Sequence, residues 1–285
     1  MRVRPPRLRG YVLGARLGGG PTADVFAAAG EADGRGWAVK VLKNDAAGDP
    51  ANVQLFRREA RAGLAVCHPH LVRVVRAVLN GDQPFHMVME RVPGRSLRAF
   101  LRQNQWLGPR TVGAVGRHAA AALAAVHAAG FVHGDVKPDN LHLTPGQSAT
   151  LLDLGFAHRP GEDDHVLGPG YILGTANYVA PELCDLPGED GPAADVFSLG
   201  VTLFELLTGL LPYPGGTVEE TMIHHRDGRP DSLWGWQGSW PLGLASLIDR
   251  MLVRDPAARP TAVEVGEELM ALFPSSRGAR RRDAA

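Results

Sequence analysis

A ten-residue stretch near the middle of the chain holds three side chains that could do chemistry together. Phe131–Asn140 reads F-V-H-G-D-V-K-P-D-N, so the carboxylate of Asp135 is followed two residues later by Lys137 and then by Asn140. A carboxylate can accept a hydroxyl proton, an ammonium can neutralise a transferring phosphoryl group, and a carboxamide oxygen suits Mg²⁺. This stretch favours phosphoryl transfer and leaves the substrate open. An ordinary polar turn is the alternative until other motifs are found.

Two features in the first ninety residues could handle a nucleotide. Gly18, Gly19 and Gly20 follow a segment that reads as a strand, 11–17, and glycines let backbone amides approach phosphate oxygens. Trp37–Leu42 also reads as a strand, and its one charged residue, Lys40, stands among apolar residues. A buried ammonium is costly without a partner, so Lys40 is expected to have one.

Three elements must position these groups. Asp49 followed by Pro50 predicts the start of a helix, because aspartate caps helix N-termini and proline is favoured at the first helical position. An alanine-rich helix is predicted over Pro109–Ala129, and it ends just before the Phe131–Asn140 stretch. Thr150–Gly155 reads as a buried strand that ends in an acid, Asp153.

In order and spacing, these motifs resemble those of the bacterial eukaryotic-like (Hanks-type) serine/threonine protein kinases, over about residues 11–273. His133–Asn140 is similar to the catalytic loop H-R-D-x-K-x-x-N, with Gly134 in place of the arginine. Asp153-Leu154-Gly155 is similar to D-F-G, and Gly174–Glu182 to the segment that ends in A-P-E.

The resemblance implies a role for each site residue. Asp135 and Lys137 are implied to be catalytic, with Asn140 and Asp153 as the Mg²⁺ ligands. Lys40 is implied to pair with Glu59. The implied nucleotide site consists of Leu17, Gly18, Gly19, Gly20, Val25, Ala38, Lys40, Glu59, Met89, Glu90, Val92 and His142.

Four further residues are implied to hold the substrate-side segment and the catalytic loop. They are Thr175, Glu182, Asp195 and Arg259. In the family, Arg259 pairs with Glu182, and Asp195 braces the backbone of the catalytic loop.

The fold implied is α+β and bilobal. A small antiparallel β-sheet lobe with one helix precedes a larger, mainly helical lobe, and ATP binds between them. The implied boundaries are a basic N-terminal tail at 1–10, the small lobe at 11–92, the large lobe at 93–273 and a basic C-terminal tail at 274–285.

The implied function is transfer of the ATP γ-phosphate to a hydroxyl of a protein substrate that the sequence does not identify, with ATP and Mg²⁺ as cofactors. Two alternatives stay open: a pseudokinase that only binds nucleotide, favoured by Gly63, Gly134 and His142, and a small-molecule phosphotransferase. The missing arginine at Gly134, and the absence of serine and threonine from Phe156 to Leu173, lead us to expect activity without phosphorylation of that loop.

Charge and composition narrow the class of protein. The 285 residues carry 30 Lys+Arg and 30 Asp+Glu, so the formal net charge is zero and nothing points to nucleic acid as a partner. There is no apolar run of bilayer length and no apolar signal segment near the N-terminus. Cys67 and Cys184 cannot form a disulfide framework. We therefore expect no membrane span and a cytoplasmic location.

Overall fold

A computed structural model describes residues 4–81, 84–162, 175–184, 191–213, 215–235 and 240–274. Residues 163–173 of the segment that lacks serine and threonine, Gly174, and residues 275–285 of the predicted basic tail lie outside these ranges.

The first lobe is an antiparallel sheet with strand order β1-β2-β3-β5-β4. Its strands are β1 (Tyr11–Gly19), β2 (Ala23–Gly30), β3 (Gly36–Leu42), β4 (Val74–Val78) and β5 (His86–Glu90). Side chains alternate between the two faces of a strand, so Val39 and Val41 share one face of β3 while Ala38, Lys40 and Leu42 share the other. Val39 and Val41 pack with Phe26, Val88 and Leu8. Leu8, in the predicted tail, is therefore part of this core, and the boundary at residue 11 stays a prediction.

Helix α1 (Pro50–Ala65) covers the other face of the sheet. Asp49 caps it, because its side chain accepts a hydrogen bond from the Ala51 amide at 2.9 Å. Gly63 lies against β4, where an added Cβ would be 2.4 Å from Val74 Cγ2. The glycine therefore allows the helix to approach the sheet closely, which offsets its poor helix propensity.

The second lobe is mainly helical. Its helices are α2 (Leu97–Asn104), α3 (Pro109–Ala128), α4 (Pro192–Thr208), α5 (Val218–Asp227), α6 (Leu242–Met251) and α7 (Ala262–Leu272). Three short strands, β6 (Arg95–Ser96), β7 (Leu141–Leu143) and β8 (Ala149–Leu151), form a second antiparallel sheet. These elements confirm the predicted bilobal α+β fold.

Small residues on α3 explain its central position. At Gly116, an added Cβ would lie 2.8 Å from Leu269 Cδ1 of α7 and 3.0 Å from Leu203 Cδ1 of α4. Close contact of this kind lets three helices share one core around the fully buried Leu123 and Phe197.

The strand predicted over Thr150–Gly155 is shorter than expected, because β8 ends at Leu151. The Leu152 amide donates to the Asn140 carbonyl at 2.8 Å, so the chain leaves the ladder and turns toward the catalytic loop. Asp153 then has φ of 59°, a left-handed conformation that is rare outside glycine. Of the helices that the structure describes, none is both apolar enough and long enough to cross a membrane.

Candidate active site

The first part of the site is a set of three charged side chains that contact one another across the two lobes. Lys40 on β3 places Nζ 2.6 Å from Glu59 Oε1 on α1 and 2.9 Å from Asp153 Oδ1 of the second lobe. The Lys40 side chain is 15% exposed and that of Glu59 is 9% exposed, whereas Asp153 is 45% exposed. Lys40 therefore has the partner that a largely buried ammonium needs, and Asp153 faces the cleft.

The charges of these three groups are coupled. Burial lowers the pKa of Lys40, but the carboxylates of Glu59 and Asp153 outweigh burial, so its pKa is raised and it is protonated. Burial raises the pKa of Glu59 to about 7, against the opposing effect of Lys40. Burial also tends to raise the pKa of Asp153, but Lys40 and the Gly155 amide hold it below its usual value. The site thus presents an ionised Asp153 to the cleft.

The second part of the site is the loop that carries Asp135, Lys137 and Asn140. Asp135 is 5% exposed, and its carboxylate lies 2.6 Å from Lys137 Nζ. Asn140 Nδ2 donates to Asp135 Oδ2 at 2.8 Å and to the Asp135 carbonyl at 2.9 Å. Thr175 donates its hydroxyl to Asp135 Oδ1 at 3.0 Å and accepts from Lys137 at 2.5 Å. The structure therefore brings together four residues that the sequence analysis singled out.

Asp195 binds the backbone of this loop through its buried carboxylate. It is 1% exposed, and its carboxylate accepts the backbone amides of His133 at 2.8 Å and Gly134 at 2.9 Å. His127 Nε2 contacts the same carboxylate at 2.8 Å, a partner that the sequence analysis did not identify. Burial by itself would raise the pKa of Asp195, but the contacts with His127 and His133 hold it below its usual value. A buried charge with several hydrogen bonds fixes the path of the loop.

Arg259 and Glu182 form a bidentate pair beneath the segment that follows Thr175. The two nitrogen–oxygen distances are both 2.7 Å, and the Arg259 side chain is fully buried. Arg259 also donates to the carbonyl groups of Val253, Ala193 and Arg254. The guanidinium therefore ties three segments of the second lobe together.

The glycine segment forms the tip of the first hairpin. Gly18 and Gly19 end β1, and Gly20 follows them in the turn. An added Cβ on Gly19 would lie 2.3 Å from Asp24 Oδ1, so a larger residue does not fit there. Lys43 Nζ donates to the Gly20 carbonyl at 2.7 Å and anchors this turn to the end of β3. Lys43 was missed because no short motif contains both residues.

Four of the predicted nucleotide-binding residues lie on one face of the first sheet. Ala38 and Lys40 point to the same face of β3, and the residues opposite them in the ladders are Met89 and Val25. Leu17 is 48% exposed at the end of β1. Glu90 ends β5, Val92 follows that strand, and His142 lies on β7 of the second lobe.

His142 is a neutral, partly buried ring at this position. Burial lowers its pKa. Its Nδ1 has no hydrogen-bond partner among the described residues. A flat neutral imidazole at the lobe boundary can stack against an adenine ring.

A buried network next to the catalytic loop was also missed. Arg98 on α2 lies 2.5 Å from Glu205 of α4, 2.5 Å from the Tyr178 hydroxyl and 3.1 Å from Asp139 of the catalytic loop. Burial and the proximity of Glu205 raise the pKa of Tyr178 above its usual range, so this hydroxyl is protonated and donates to Glu205. The residues of this network are too far apart in sequence for spacing to reveal them.

The oxygen atoms of Asn140 and Asp153 suit a magnesium ion. Asn140 uses its amide nitrogen for both bonds to Asp135, which leaves Oδ1 without a described hydrogen bond. Asp153 Oδ1 contacts Lys40 and the Gly155 amide, and its other oxygen is not used in these bonds. A carboxylate and a carboxamide are hard ligands of the kind that Mg²⁺ prefers.

Comparisons with known proteins agree with this arrangement. Residues 11–269 match the family described as "Protein kinase domain". The chain is 34% identical over 254 residues to serine/threonine-protein kinase PknA of Mycobacterium tuberculosis, covering 87% of this chain and 58% of PknA. It is 33% identical over 263 residues to PknL of the same organism, covering 92% and 65%. To PkaB of Streptomyces coelicolor it is 36% identical over 258 residues, covering 85% and 58%. The chain thus spans about three fifths of the length of these curated relatives.

Proposed function

Because the chain belongs to the protein kinase domain family, we propose that it transfers the γ-phosphate of ATP to a serine or threonine hydroxyl of a protein substrate. The observation that carries this proposal is the buried contact set around Asp135, in which Lys137, Asn140 and Thr175 all touch the one carboxylate. The similar proteins PknA, PknL and PkaB carry the name serine/threonine-protein kinase, which supports the choice of hydroxyl.

Each side chain has a role that follows from its surroundings. Asp135 orients the substrate hydroxyl and accepts its proton, and the Thr175 hydroxyl already donates to this carboxylate. Lys137, 2.6 Å from Asp135, neutralises charge on the transferring phosphoryl group. Lys40, held by Glu59, binds phosphate oxygens of ATP.

The remaining residues bind the nucleotide and its metal. Asn140 and Asp153 would hold Mg²⁺, which would supply positive charge to neutralise the phosphate groups of ATP. The glycine turn at 18–20, anchored by Lys43, covers the phosphates with backbone amides. Ala38, Met89 and His142 enclose the adenine, whose polar edge bonds to the backbone around Glu90–Val92.

The first test is radiolabel transfer from γ-labelled ATP to generic protein substrates. We expect Asp135→Asn to lower kcat at least about 100-fold, because proton acceptance is lost. Lys40→Met should lower kcat/KM for ATP by a similar factor, because the phosphates lose their cation. Asp231→Asn, at an exposed position outside the site, is the matched control and should behave as wild type. Near wild-type turnover of Asp135→Asn would contradict the mechanism.

The same assay separates the alternatives. A pseudokinase would bind ATP without transferring label. A small-molecule phosphotransferase would label an aminoglycoside-type acceptor and no protein. Ala180-Pro181-Glu182, held by Arg259, disfavours the second alternative because small-molecule phosphotransferases lack this segment.

We propose further that the protein works in the cytoplasm, where ATP and protein hydroxyl groups are available. Both cysteines, Cys67 and Cys184, are free, as expected for a reducing compartment. The balanced charge of 30 Lys+Arg and 30 Asp+Glu supports protein rather than nucleic acid as the substrate.

We also propose that the kinase is active without phosphorylation of the segment from Phe156 to Leu173. That segment contains no serine or threonine, and Gly134 stands where the catalytic-loop arginine would bind a phosphate. Part of the segment, 163–173, lies outside the described residues. The support for this proposal comes from the sequence.

Phosphatase treatment tests the proposal that this segment needs no phosphate. Activity of the purified protein should be unchanged after treatment, and mass spectrometry should find no phosphate between Phe156 and Leu173. A phosphate in this segment whose removal abolishes activity would overturn the proposal. A protein kinase with a known activating phosphate, treated in parallel, shows that the phosphatase is effective.

A further inference from the structure

A cluster of charged side chains joins α1 to the segment that follows Gly155. Both carboxylate oxygens of Glu162 contact Arg61 Nη2 on α1, at 2.5 Å and 2.6 Å. Arg58 Nε, one turn earlier on the same helix, lies 3.8 Å from Glu162 Oε1. The backbone amide of Arg159 donates to Glu162 Oε2 at 3.1 Å. One carboxylate therefore holds two arginines of the helix and the backbone of its own segment.

The cluster is partly shielded from water. The Glu162 side chain is 22% exposed and that of Arg58 is 7% exposed, while Arg61 is 45% exposed. Ion pairs shielded in this way are screened less by solvent than exposed ones. Burial by itself would raise the pKa of Glu162, but Arg61 and the Arg159 amide hold it below the usual range, so the carboxylate is ionised at neutral pH.

The helix held by this cluster is also the helix that carries Glu59. Arg58 directly precedes Glu59 in sequence, and Arg61 follows it by two residues. The Glu59 carboxylate reaches Lys40 at 2.6 Å. Glu162 and Lys40 are thus two charged anchors for one helix.

The cluster also reaches the start of the catalytic loop. The guanidinium groups of Arg159 and Arg61 lie 5.1 Å and 5.9 Å from the centre of the Phe131 ring. Phe131 is 1% exposed and lies two residues before the catalytic loop, His133–Asn140. Three parts of the site therefore meet around the Arg61–Glu162 pair: the helix, the segment after Gly155 and the entry to the catalytic loop.

We propose that Glu162 is a positioning residue that, through Arg61 and Arg58, holds α1 where Glu59 reaches Lys40. The carboxylate is part of the chain, so this anchor needs no phosphorylation. The inference rests on the proposed kinase function, since it assigns a purpose to the position of Glu59. It adds residues outside the catalytic machinery to those on which phosphoryl transfer depends.

A double-mutant cycle on the full chain tests this proposal. The variants are Glu162→Gln, Arg61→Gln and the double variant, with Glu268→Gln as the control. Glu268 pairs with Arg250 on the surface of the second lobe, away from the site. Two readouts are needed: steady-state kinetics with ATP as the varied substrate, and hydrogen exchange of the amides in residues 50–65.

We expect Glu162→Gln to lower kcat/KM for ATP by about fivefold to tenfold and to speed exchange in α1. Arg61→Gln should have a smaller effect in the same direction, because Arg58 and the Arg159 amide still contact Glu162. The double variant should be no worse than Glu162→Gln, because that change has already removed the charge that Arg61 pairs with. Glu162→Asp should recover part of the loss, because it keeps the charge. Unchanged exchange in α4 and α7 would show that the second lobe is folded.

Two outcomes would overturn the proposal. One is wild-type kinetics and wild-type exchange of α1 in Glu162→Gln. The other is an additive loss in the double variant, which would mean that the two residues act separately. If the wild-type chain transfers no phosphate, the proposed function fails, but exchange in α1 still shows whether Glu162 holds the helix.

Discussion

At the scale of one residue, Gly134 stands where the family has an arginine, and the backbone conformation there favours glycine. Its φ is +78°, a left-handed conformation, and its amide donates to Asp195. An added Cβ would lie 2.9 Å from the Phe156 carbonyl oxygen. A side chain here therefore costs both backbone strain and a displaced neighbour, about 1–2 kcal/mol from the backbone alone.

Substitution of this glycine tests whether the missing arginine limits activity. We expect Gly134→Arg to lower the melting temperature and not to raise kcat, because the side chain strains the loop that holds Asp135. Gly130→Arg is the matched control: Gly130 also has a φ of +78°, but a Cβ added there would meet no atom of the described residues within 4 Å beyond its chain neighbours. The melting temperature should fall further for Gly134→Arg than for this control. An increase in kcat would contradict the expectation.

At the scale of elements, the segment that follows Thr175 is held by side chains from distant parts of the second lobe. The Arg259–Glu182 pair attaches it to the loop before α7, and Arg98 on α2 reaches Tyr178 in the same segment. None of these contacts lies within a single helix or strand. The position of Thr175 beside Asp135 therefore depends on packing in the second lobe as a whole.

Arg259→Ala tests that dependence. Removing one partner of a buried pair leaves the other charge uncompensated and costs about 3–5 kcal/mol. For a chain of this size we expect the melting temperature to fall on the order of 10 °C. Arg250→Ala is the control, because its pair with Glu268 is exposed and such pairs contribute about 0–1 kcal/mol. Equal melting temperatures for the two variants would contradict a structural role for the buried pair.

At the scale of the whole molecule, a histidine cluster lies where the two lobes join. The rings of His70 and His118 stack with centroids 3.9 Å apart. His70 Nδ1 contacts the Ala149 carbonyl, and the Ala149 amide donates to His118 Nδ1. Arg117 Nη2 lies 3.1 Å from His118 Nε2. The connection after α1 is thereby attached to α3 and β8.

This cluster predicts a dependence of stability on pH. Burial, and then the nearby His70 and Arg117, lower the pKa of His118 from 6.5 to about 4. Between these values the unfolded chain binds a proton that the folded chain excludes. The free energy of unfolding should therefore fall as pH drops from 6.5 toward 4.

Denaturant unfolding measured across this pH range checks the prediction. His118→Gln should reduce the slope of unfolding free energy against pH relative to wild type. Gln54→Ala, at an exposed position on α1 outside the cluster, is the control and should leave the slope unchanged, because it removes no titratable group. Parallel curves for wild type and His118→Gln would contradict the assignment.

The sequence by itself determined the features that depend on near neighbours. The spacing of Asp135, Lys137 and Asn140 places all three on one loop, and Asp49 caps α1 where expected. Capping boxes and catalytic loops involve residues within a few positions of each other, so their chemistry is visible in the order of residues. This is why the shared loop and the helix cap could be predicted, whereas the fold class was implied by the order and spacing of the motifs along the chain.

Only the tertiary structure decided which distant side chains meet. His127 reaches Asp195, Lys43 reaches Gly20, and Arg61 reaches Glu162 across 101 positions of sequence. It also decided that β8 ends at Leu151, since the backbone there bonds to Asn140 instead of continuing the ladder. A charged side chain on a helix or strand could pair with many others, and the order of residues does not show which. Packing of the elements decides the pair, because it brings together residues that share no local pattern.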